Sequence, residues 1–334
     1  MNILLTSAGR RTYLVKYFKK SLSGIGKVHV SNSTSDCPAF KYADEKVVSP
    51  LIYSDSYIHF LKNYCIKNDI SLIIPLFDID VLKLSEYKND FASLGINVLV
   101  GDKSQIEICN DKYLTYKILS EKGLNLPSSY LYLEEVKENL KSRQINFPLI
   151  VKPRWGMGSI GVYEANNINE LDVFYEKVAF DINNSYLKYE SSLDKERSVL
   201  IQEKVEGTEY GLDVINDLNG VYQTTIVKEK LEMRAGETDA AIIRDSSDLK
   251  DIGKIISDVI SHPANLDADV IFDGNRYFVL ELNARFGGGF PFSYMAGVDL
   301  PSAIVNWILN KPLSNELEET IGVKGYKDIT INMY

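Results

Sequence analysis

With 334 residues, 37 basic and 46 acidic side chains, the chain carries a formal net charge of −9, and its 45% hydrophobic and 25% charged make-up is that of an ordinary folded protein, not a disordered or collagen-like one. At about 150 residues per domain, two or three domains are expected, with ample chain to bury a core without disulfides. The acidic balance offers no grip along a nucleic-acid backbone, though a local basic site can still hold phosphate, and no apolar run approaches the roughly 18–20 residues of a membrane helix.

The opening MNILLTSAGRR places its arginines after a short apolar run, so it reads as a first strand, Asn2–Thr6, and not as a secretory leader. An amphipathic stretch from Tyr13 to Leu22 follows, then a second strand at Val28–Ser31. Leu72–Leu76 and Val98–Val100 repeat the strand pattern, with helices at Tyr57–Lys67 and Val81–Leu94 between them. This alternation predicts a parallel α/β sheet over residues 1–103. The first turn is SAGRR, not GxGxxG, which argues against a dinucleotide-binding site. A helix from Lys112 to Lys122 leads to a different texture. Pro148–Lys152 and Val199–Gln202 read as strands, and Asn167–Ser198 as a helix followed by a polar, mobile connection. Tyr210 to Lys228 predicts a hairpin turning at Asp217-Leu218-Asn219-Gly220. Leu249–Ser261 is an amphipathic helix, and Ala268–Phe272 and Tyr277–Leu282 are strands flanking Asp273-Gly274-Asn275. Lys311–Tyr334 carries no clear pattern. Cys37, Cys65 and Cys109 lack CxxC spacing and read as reduced thiols of a cytoplasmic protein, and the isolated His29, His59 and His262 argue against zinc.

Two segments carry chemistry. In Lys152-Pro-Arg-Trp-Gly-Met-Gly-Ser-Ile-Gly-Val162, a lysine ends a strand where its compact ammonium can reach a phosphate. Gly156, Gly158 and Gly161, with Ser159 between them, allow backbone amides to approach phosphate oxygens. In Val279-Leu-Glu-Leu-Asn-Ala-Arg-Phe-Gly-Gly-Gly289, the period of two puts Glu281, Asn283 and Arg285 on one strand face. Two oxygen ligands beside one arginine suit Mg²⁺ bridging phosphates, and Asp267 and Asp269 show the same spacing on the preceding strand. The alternative, a solvated strand face with ordinary ion pairs, fits poorly beside Val279, Leu280 and Leu282. Ser7-Ala8-Gly9-Arg10-Arg11 lies at the carboxyl end of the first strand, where open α/β sheets place ligands. Arg10 or Arg11 there suits a carboxylate, and Asp78 and Asp80 suit an amine; helix capping and surface pairing are the competing reading. Phe286-Gly287-Gly288-Gly289-Phe290 reads as backbone that approaches the acceptor.

Taken together, Asn110-Asp111-Lys112, Lys152 with its glycine loop, Gln202-Glu203-Lys204-Val205-Glu206-Gly207, Lys228-Glu229-Lys230, Asp269 and Glu281-Leu282-Asn283-Ala284-Arg285 follow one another in the order found in a known superfamily. The chain resembles the ATP-grasp superfamily over residues 1–310, especially its single-lobe members similar to the carbamoyl phosphate synthase large subunit. The resemblance implies α/β and α+β architecture: an N-terminal Rossmann-like domain over 1–103, a linker helix and lid over 104–205, and a metal-bearing subdomain over 206–334. It implies that Lys112 and Lys152 contact ATP phosphates under the glycine loop, that Glu203 and Val205 lie at the adenine hinge, and that Asp213 or Glu203 reaches the ribose, although Gly211 stands where some relatives carry an acid. Asp269, Glu281 and Asn283 match its Mg²⁺ (or Mn²⁺) ligands and Arg285 its phosphate-stabilising arginine. Lys230 and Arg234 then point to the γ-phosphate or the acceptor, with surface charge as their alternative.

The expected activity is ATP-dependent ligation of a small-molecule carboxylate to an amine through an acyl phosphate, in a cytoplasmic enzyme that binds neither nucleic acid nor membrane; homodimerisation is implied by the family. One lobe and no glutaminase segment argue against carbamoyl phosphate synthesis itself. The rival expectations are an ATP-grasp kinase that stops at a phosphorylated acceptor and a sensor that binds ATP without turnover. Retention of Lys152, Asp269, Glu281, Asn283 and Arg285 argues against the sensor.

Overall fold

In the computed structural model, which describes residues 1–329 and 331, three sheets follow one another along the chain. The first is parallel. It contains β1 (Asn2–Thr6), β2 (Val28–Asn32), β3 (Glu45–Val48), β4 (Ile70–Pro75) and β5 (Asn97–Val98), ordered β3-β2-β1-β4-β5. Its helices are α1 (Thr12–Ser21), α2 (Tyr57–Lys67), α3 (Asp78–Glu86) and α4 (Lys88–Ala92). α1 folds against the sheet because Leu14, Val15 and Phe18 share one buried face. The expected Val81–Leu94 helix is corrected: it starts at Asp78 and breaks at Tyr87. β3 escaped the sequence reading because it is an edge strand whose Glu45, Lys46 and Val48 are exposed, leaving no apolar run. Strand order reverses between β1 and β4. The crevice at their carboxyl ends therefore collects the loops after β1, β2, β3 and β4.

The second body starts with α5 (Lys103–Asn110) and α6 (Lys112–Ser120), the latter capped by Asp111, which accepts from the Tyr113 and Leu114 amides. It continues through β6 (Ser129–Tyr130), α7 (Leu133–Lys141), β7 (Leu149–Pro153), β8 (Tyr163–Ala165), α8 (Ile168–Asn183), α9 (Lys188–Ser191) and β9 (Val199–Glu203). The antiparallel sheet is ordered β6-β9-β7-β8. The expected mobile connection after α8 is corrected. It forms a packed turn and α9, with Leu187, Glu190 and Ser191 buried.

The third body holds β10 (Thr208–Asn216), β11 (Tyr222–Arg234), β12 (Glu237–Arg244), α10 (Ser247–Ile260), β13 (Ala264–Phe272), β14 (Tyr277–Asn283), α11 (Phe290–Met295), α12 (Leu300–Ile308) and β15 (Lys324–Tyr326). Its antiparallel sheet runs β14-β13-β10-β11-β12-β15. The β10–β11 turn forms at Asp217-Leu218-Asn219-Gly220, where Asp217 Oδ1 accepts from the amides of Asn219 (2.8 Å) and Val221 (2.9 Å). The C-terminal stretch from Lys311, unassigned from sequence, contributes β15; its residues 330 and 332–334 lie outside the described ones.

Apolar packing divides the molecule unequally. Leu72 and Ile74 of the parallel sheet share a core with Phe286 and Phe290, and Leu4 and Ile73 share another with Leu212, Leu266 and Leu282. The parallel and six-stranded sheets are thus one block. The small sheet instead encloses its own core of Val136, Leu149, Val151, Leu171, Val178 and Ile201. Cys37, Cys65 and Cys109 are free and buried, and burial pushes the Cys65 thiol up to about 12. Among the described residues no helix is long and apolar enough to cross a membrane.

His262 ties the block together by accepting the Gly101 amide at Nδ1 (3.2 Å), and complete burial pulls its pKa down to about 3. Because the folded value lies below the usual 6.5, this contribution is full above pH 6.5 and is lost as pH falls towards 3. Between pH 8 and pH 5 the expected loss is about 2 kcal/mol. Urea unfolding at both pH values should show that difference, and His262→Gln should remove it; an equal pH response in the variant would reject the assignment.

Candidate active site

A cavity of about 360 Å³ opens between the small sheet and the six-stranded sheet. β7 and β9 supply one wall through Ile150, Lys152 and Gln202, and β13 and β14 the other through Asp269, Ile271, Leu280 and Glu281. At one end Glu203, Lys204 and Val205 lie among Ile150, Val162, Ile271 and Leu280, a flat apolar slot edged by backbone that fits a planar base. At the other end lysines converge.

Lys112 is the first residue of α6, and its ammonium donates to the Gly156 carbonyl while lying 3.5 Å from Glu281. This contact holds the glycine loop over the cavity. Gly158 (φ +61°) and Gly161 (φ +68°) give that loop the left-handed turns a side chain would resist, and Ser159 shares the conformation at φ +56°. Lys152 donates to Gln202 Oε1 (2.8 Å) and to the Tyr116 hydroxyl (3.4 Å), which itself donates to the Leu280 carbonyl. Burial pulls the Lys152 pKa down to about 8, with Glu281 partly opposing. A bound polyphosphate favours the ammonium form, so nucleotide affinity should weaken by up to about tenfold per pH unit above pH 8. Calorimetric titration with MgATP from pH 7 to 9.5 reads this directly. Lys152→Arg, charged throughout, should flatten the curve; a flat curve in the unaltered protein would refute it.

Asp269 and Glu281 face each other across the β13–β14 register, and Asp267 faces Asn283 two pairs further on. Lys230 pairs with Asp269 at 2.8 Å, and that partner outweighs burial in raising the lysine's pKa. Burial pushes the Glu281 carboxyl up, but Lys112 and Lys152 outweigh it and hold it at about 2. Among the described residues no group of three or more His, Cys, Asp or Glu converges as a closed metal cage. The donor set is two carboxylates and the Asn283 amide oxygen on one face, which fits Mg²⁺, an ion usually held by one or two carboxylates with water and phosphate completing its shell.

A second cavity of about 260 Å³ adjoins the first and shares Lys230, Asp269, Glu281, Met157 and Ser159 with it. Arg285 lies at its centre. It reaches Asp78 of α3 through Nε (3.2 Å) and Nη2 (3.4 Å), and Asp267 of β13 through Nη1 (3.3 Å). Burial and the nearby Asp269 push Asp267 up to about 6 in spite of Arg285. The triple glycine after Arg285 has a further reason at its first position. A Cβ on Gly287 would fall 2.2 Å from Asp267 Oδ1, so this glycine makes room for the buried carboxylate; Gly288 and Gly289 line the cavity.

Several expected positions lie elsewhere. Asp213 is fully buried and grips Lys228, Ser293 (2.5 Å) and Asn265 (3.2 Å), so it does not reach a ribose in the first cavity. Arg234 ends β11 in an exposed pair with Asp239, outside both cavities. Arg10 is exposed and Arg11 alone of the pair faces the second cavity. Asp80, expected to meet an amine, is fully buried and accepts from Tyr57 (2.7 Å) and Ser7 (2.8 Å); it supports the β1–α1 loop. Asp78 faces the cavity but is engaged by Arg285. Sequence reasoning missed Tyr116, Arg154 and Glu237. Tyr116 sits four residues after Lys112 on one helix face, a spacing that could have found it. Arg154 clamps Asp111 through two bonds (2.8 and 2.6 Å) and joins the small lobe to α6. No pattern marks Glu237, which follows a turn into β12 and lines the second cavity.

A polyphosphate-sized cavity between two antiparallel sheets, floored by paired carboxylates and ringed by lysines, defines a class of protein that grips a nucleotide between two sheets. The chain belongs to the ATP-grasp family: the model described as "ATP-grasp domain" matches residues 109–289, and "PylC-like, N-terminal domain" matches residues 3–99. The carbamoyl phosphate synthase large chain of Clostridium acetobutylicum is 24% identical over 240 residues, covering 68% of this chain and 21% of its own. This chain thus spans about a fifth of that relative. The D-alanine--D-alanine ligase A of Bacillus cereus is 32% identical over 154 residues, 41% of this chain and 51% of the ligase. Among solved structures, the biotin carboxylase domain of the Hydrogenobacter thermophilus 2-oxoglutarate carboxylase, a dimer in complex with MgADP, ADP and bicarbonate, shares the fold with a TM-score of 0.75 at 16% identity, over 96% of this chain and 72% of that one.

Proposed function

We propose that this protein is an ATP-dependent carboxylate–amine ligase acting on small molecules and using Mg²⁺ or Mn²⁺. The observation that carries the reading is the junction of the two cavities at Asp269, Glu281 and Lys230, which puts the phosphoryl end of a nucleotide beside a separate acceptor space. That space has Arg11 as a cation for an acid and Glu237 as a carboxylate for an amine, beside the internally paired Arg285, Asp78 and Asp267. The likeness to a D-alanine--D-alanine ligase supports amide formation.

In this reading Glu203 and Val205 border the base, Lys112 and Lys152 neutralise phosphates, and the amides from Gly156 to Gly161 cover them. Asp269, Glu281 and Asn283 would hold the metal ion. Bound MgATP supplies the phosphoryl group that activates the acid as an acyl phosphate. Arg285 and Lys230 stabilise charge on the transferring group, and Arg11 orients the acid. The glycine loop, held by Lys112, keeps water from the activated acid. Of the divisions 1–103, 104–205 and 206–334, the first and third act as one block, and the small sheet of the middle one moves against it about Lys204. Buried free thiols support a cytoplasmic location, and the dimeric carboxylase domain supports a homodimer, which light scattering reads.

The test is ADP and phosphate release with MgATP across a panel of acids, each with and without an amine pool. Release that needs both partners, with the amide identified by mass spectrometry, is the expected result. A stable phosphorylated acid formed without amine would replace the reading by a kinase, and tight MgATP binding with silence across the panel would replace it by a sensor.

A further inference from the structure

Beyond the second cavity lies a third and larger space of about 830 Å³ at the carboxyl ends of the parallel strands. Arg11, Phe77 and Tyr186 line both spaces, so the two adjoin across these three side chains. One side of this chamber is the parallel sheet's loops, including Ser33 after β2 and Tyr53 after β3. The other is the turn Asn184–Tyr189 of the small lobe. Tyr53 joins the two sides: its ring stacks on Tyr189 at 3.6 Å and its hydroxyl donates to Glu190 Oε1 at 2.7 Å. Phe77 meets Tyr186 edge to face at 5.8 Å.

The wall chemistry selects an occupant. Among the described residues Arg11 and Lys188 are the charged side chains that line the chamber, and no Asp or Glu does. An ammonium compound would meet two cations and no counter-charge, whereas an anion is matched by both. The aromatic rings offer flat apolar faces, and serine and asparagine side chains between them offer hydrogen bonds to polar substituents. An acid of amino-acid size fits wholly within the 260 Å³ cavity and leaves this chamber unused. The geometry points to the chamber as the seat for the body of the acid substrate, and to that substrate as a ring-bearing carboxylate larger than an amino acid, its carboxylate directed past Arg11 to the phosphoryl junction. This rests on the ligase reading for the fate of the acid, but not for its binding.

Binding is therefore measured apart from turnover, by calorimetry on the full chain saturated with MgADP. The probes are 4-hydroxyphenylacetate as an aryl acid, glucuronate as a sugar acid, and acetate. Ser33→Trp fills the chamber from an exposed rim position, and Lys188→Glu reverses its charge; MgADP affinity within twofold of the unaltered protein shows that each variant is folded, and Lys188→Ala replaces any that is not. At least one ring acid should bind ten or more times tighter than acetate and lose at least tenfold in both variants, and the better of the two probes tells whether the ring is aryl or sugar. Ring acids no better than acetate, or binding indifferent to both variants, would overturn the assignment. A ring acid that binds as expected, yet releases no ADP with any amine, keeps the chamber and removes only the ligase reading.

Discussion

Glu281→Ala is expected to lower ATP turnover by about a thousandfold while changing nucleotide affinity by less than about tenfold. The carboxylate stands opposite Asp269 and within 3.5 Å of Lys112, between the lysines proposed to receive phosphates and the space proposed for the acceptor. Removing it takes away half of the anionic donor set for a divalent ion, which matters most as charge develops on the transferring group. Binding suffers less because Lys112 and Lys152 lose a competitor for the phosphates. There is a second signature. Glu281 raises the Lys152 pKa against the effect of burial, so its removal should move the loss of nucleotide affinity to lower pH. Phosphate release and calorimetry at pH 7 and 8.5 read both effects, and turnover within tenfold of the unaltered protein would dismiss Glu281 as a metal ligand.

Arg285→Ala should be the most destabilising change in the site. Its guanidinium reaches Asp78, 207 positions away in sequence, and Asp267 on the neighbouring strand. Both carboxylates are nearly inaccessible to solvent, and deleting the shared cation removes the side chain that pairs with both of them. Breaking a buried pair in this way costs about 3–5 kcal/mol. The loss should appear as a lower urea midpoint alongside a collapse in turnover. Adding Asp78→Asn to the variant removes one stranded charge, so it should recover part of the stability and none of the activity. An unchanged urea midpoint in Arg285→Ala would show that the bridge contributes nothing to the fold.

What could be read from sequence follows from where apolar periodicity survives. β1, β4, β7, β9 and β14 are buried enough to show as apolar runs, and the period of two along β14 placed Glu281, Asn283 and Arg285 on one face, where they do line the second cavity. β3 and β12 did not show, the first because it is an exposed edge and the second because its Glu237 and Arg244 interrupt the pattern at both ends. Side chains whose surroundings are set by distant segments were the least legible. Asp213 has a ribose-binding residue's chemistry and a buried lysine's company, and only the packing of β10 against β11 and α11 distinguishes the two. Asp80 differs from Asp78 by half a helical turn, which is enough to carry it from the cavity into the core. Glycines informed by number and not by reason: Gly287 is required by a carboxylate twenty residues earlier on another strand, a contact no local window contains.

The bond from Tyr53 to Glu190 spans 137 residues and joins the block to a lobe with its own core. That lobe also carries Lys152, the glycine loop and the slot for a planar base. The small lobe therefore lines both the 360 Å³ cavity and the 830 Å³ chamber, the spaces proposed for nucleotide and acid. Any ligand that draws this lobe inward pre-orders the other ligand's site, and linkage makes the benefit mutual: the factor by which an acid tightens nucleotide binding must equal the factor by which nucleotide tightens the acid.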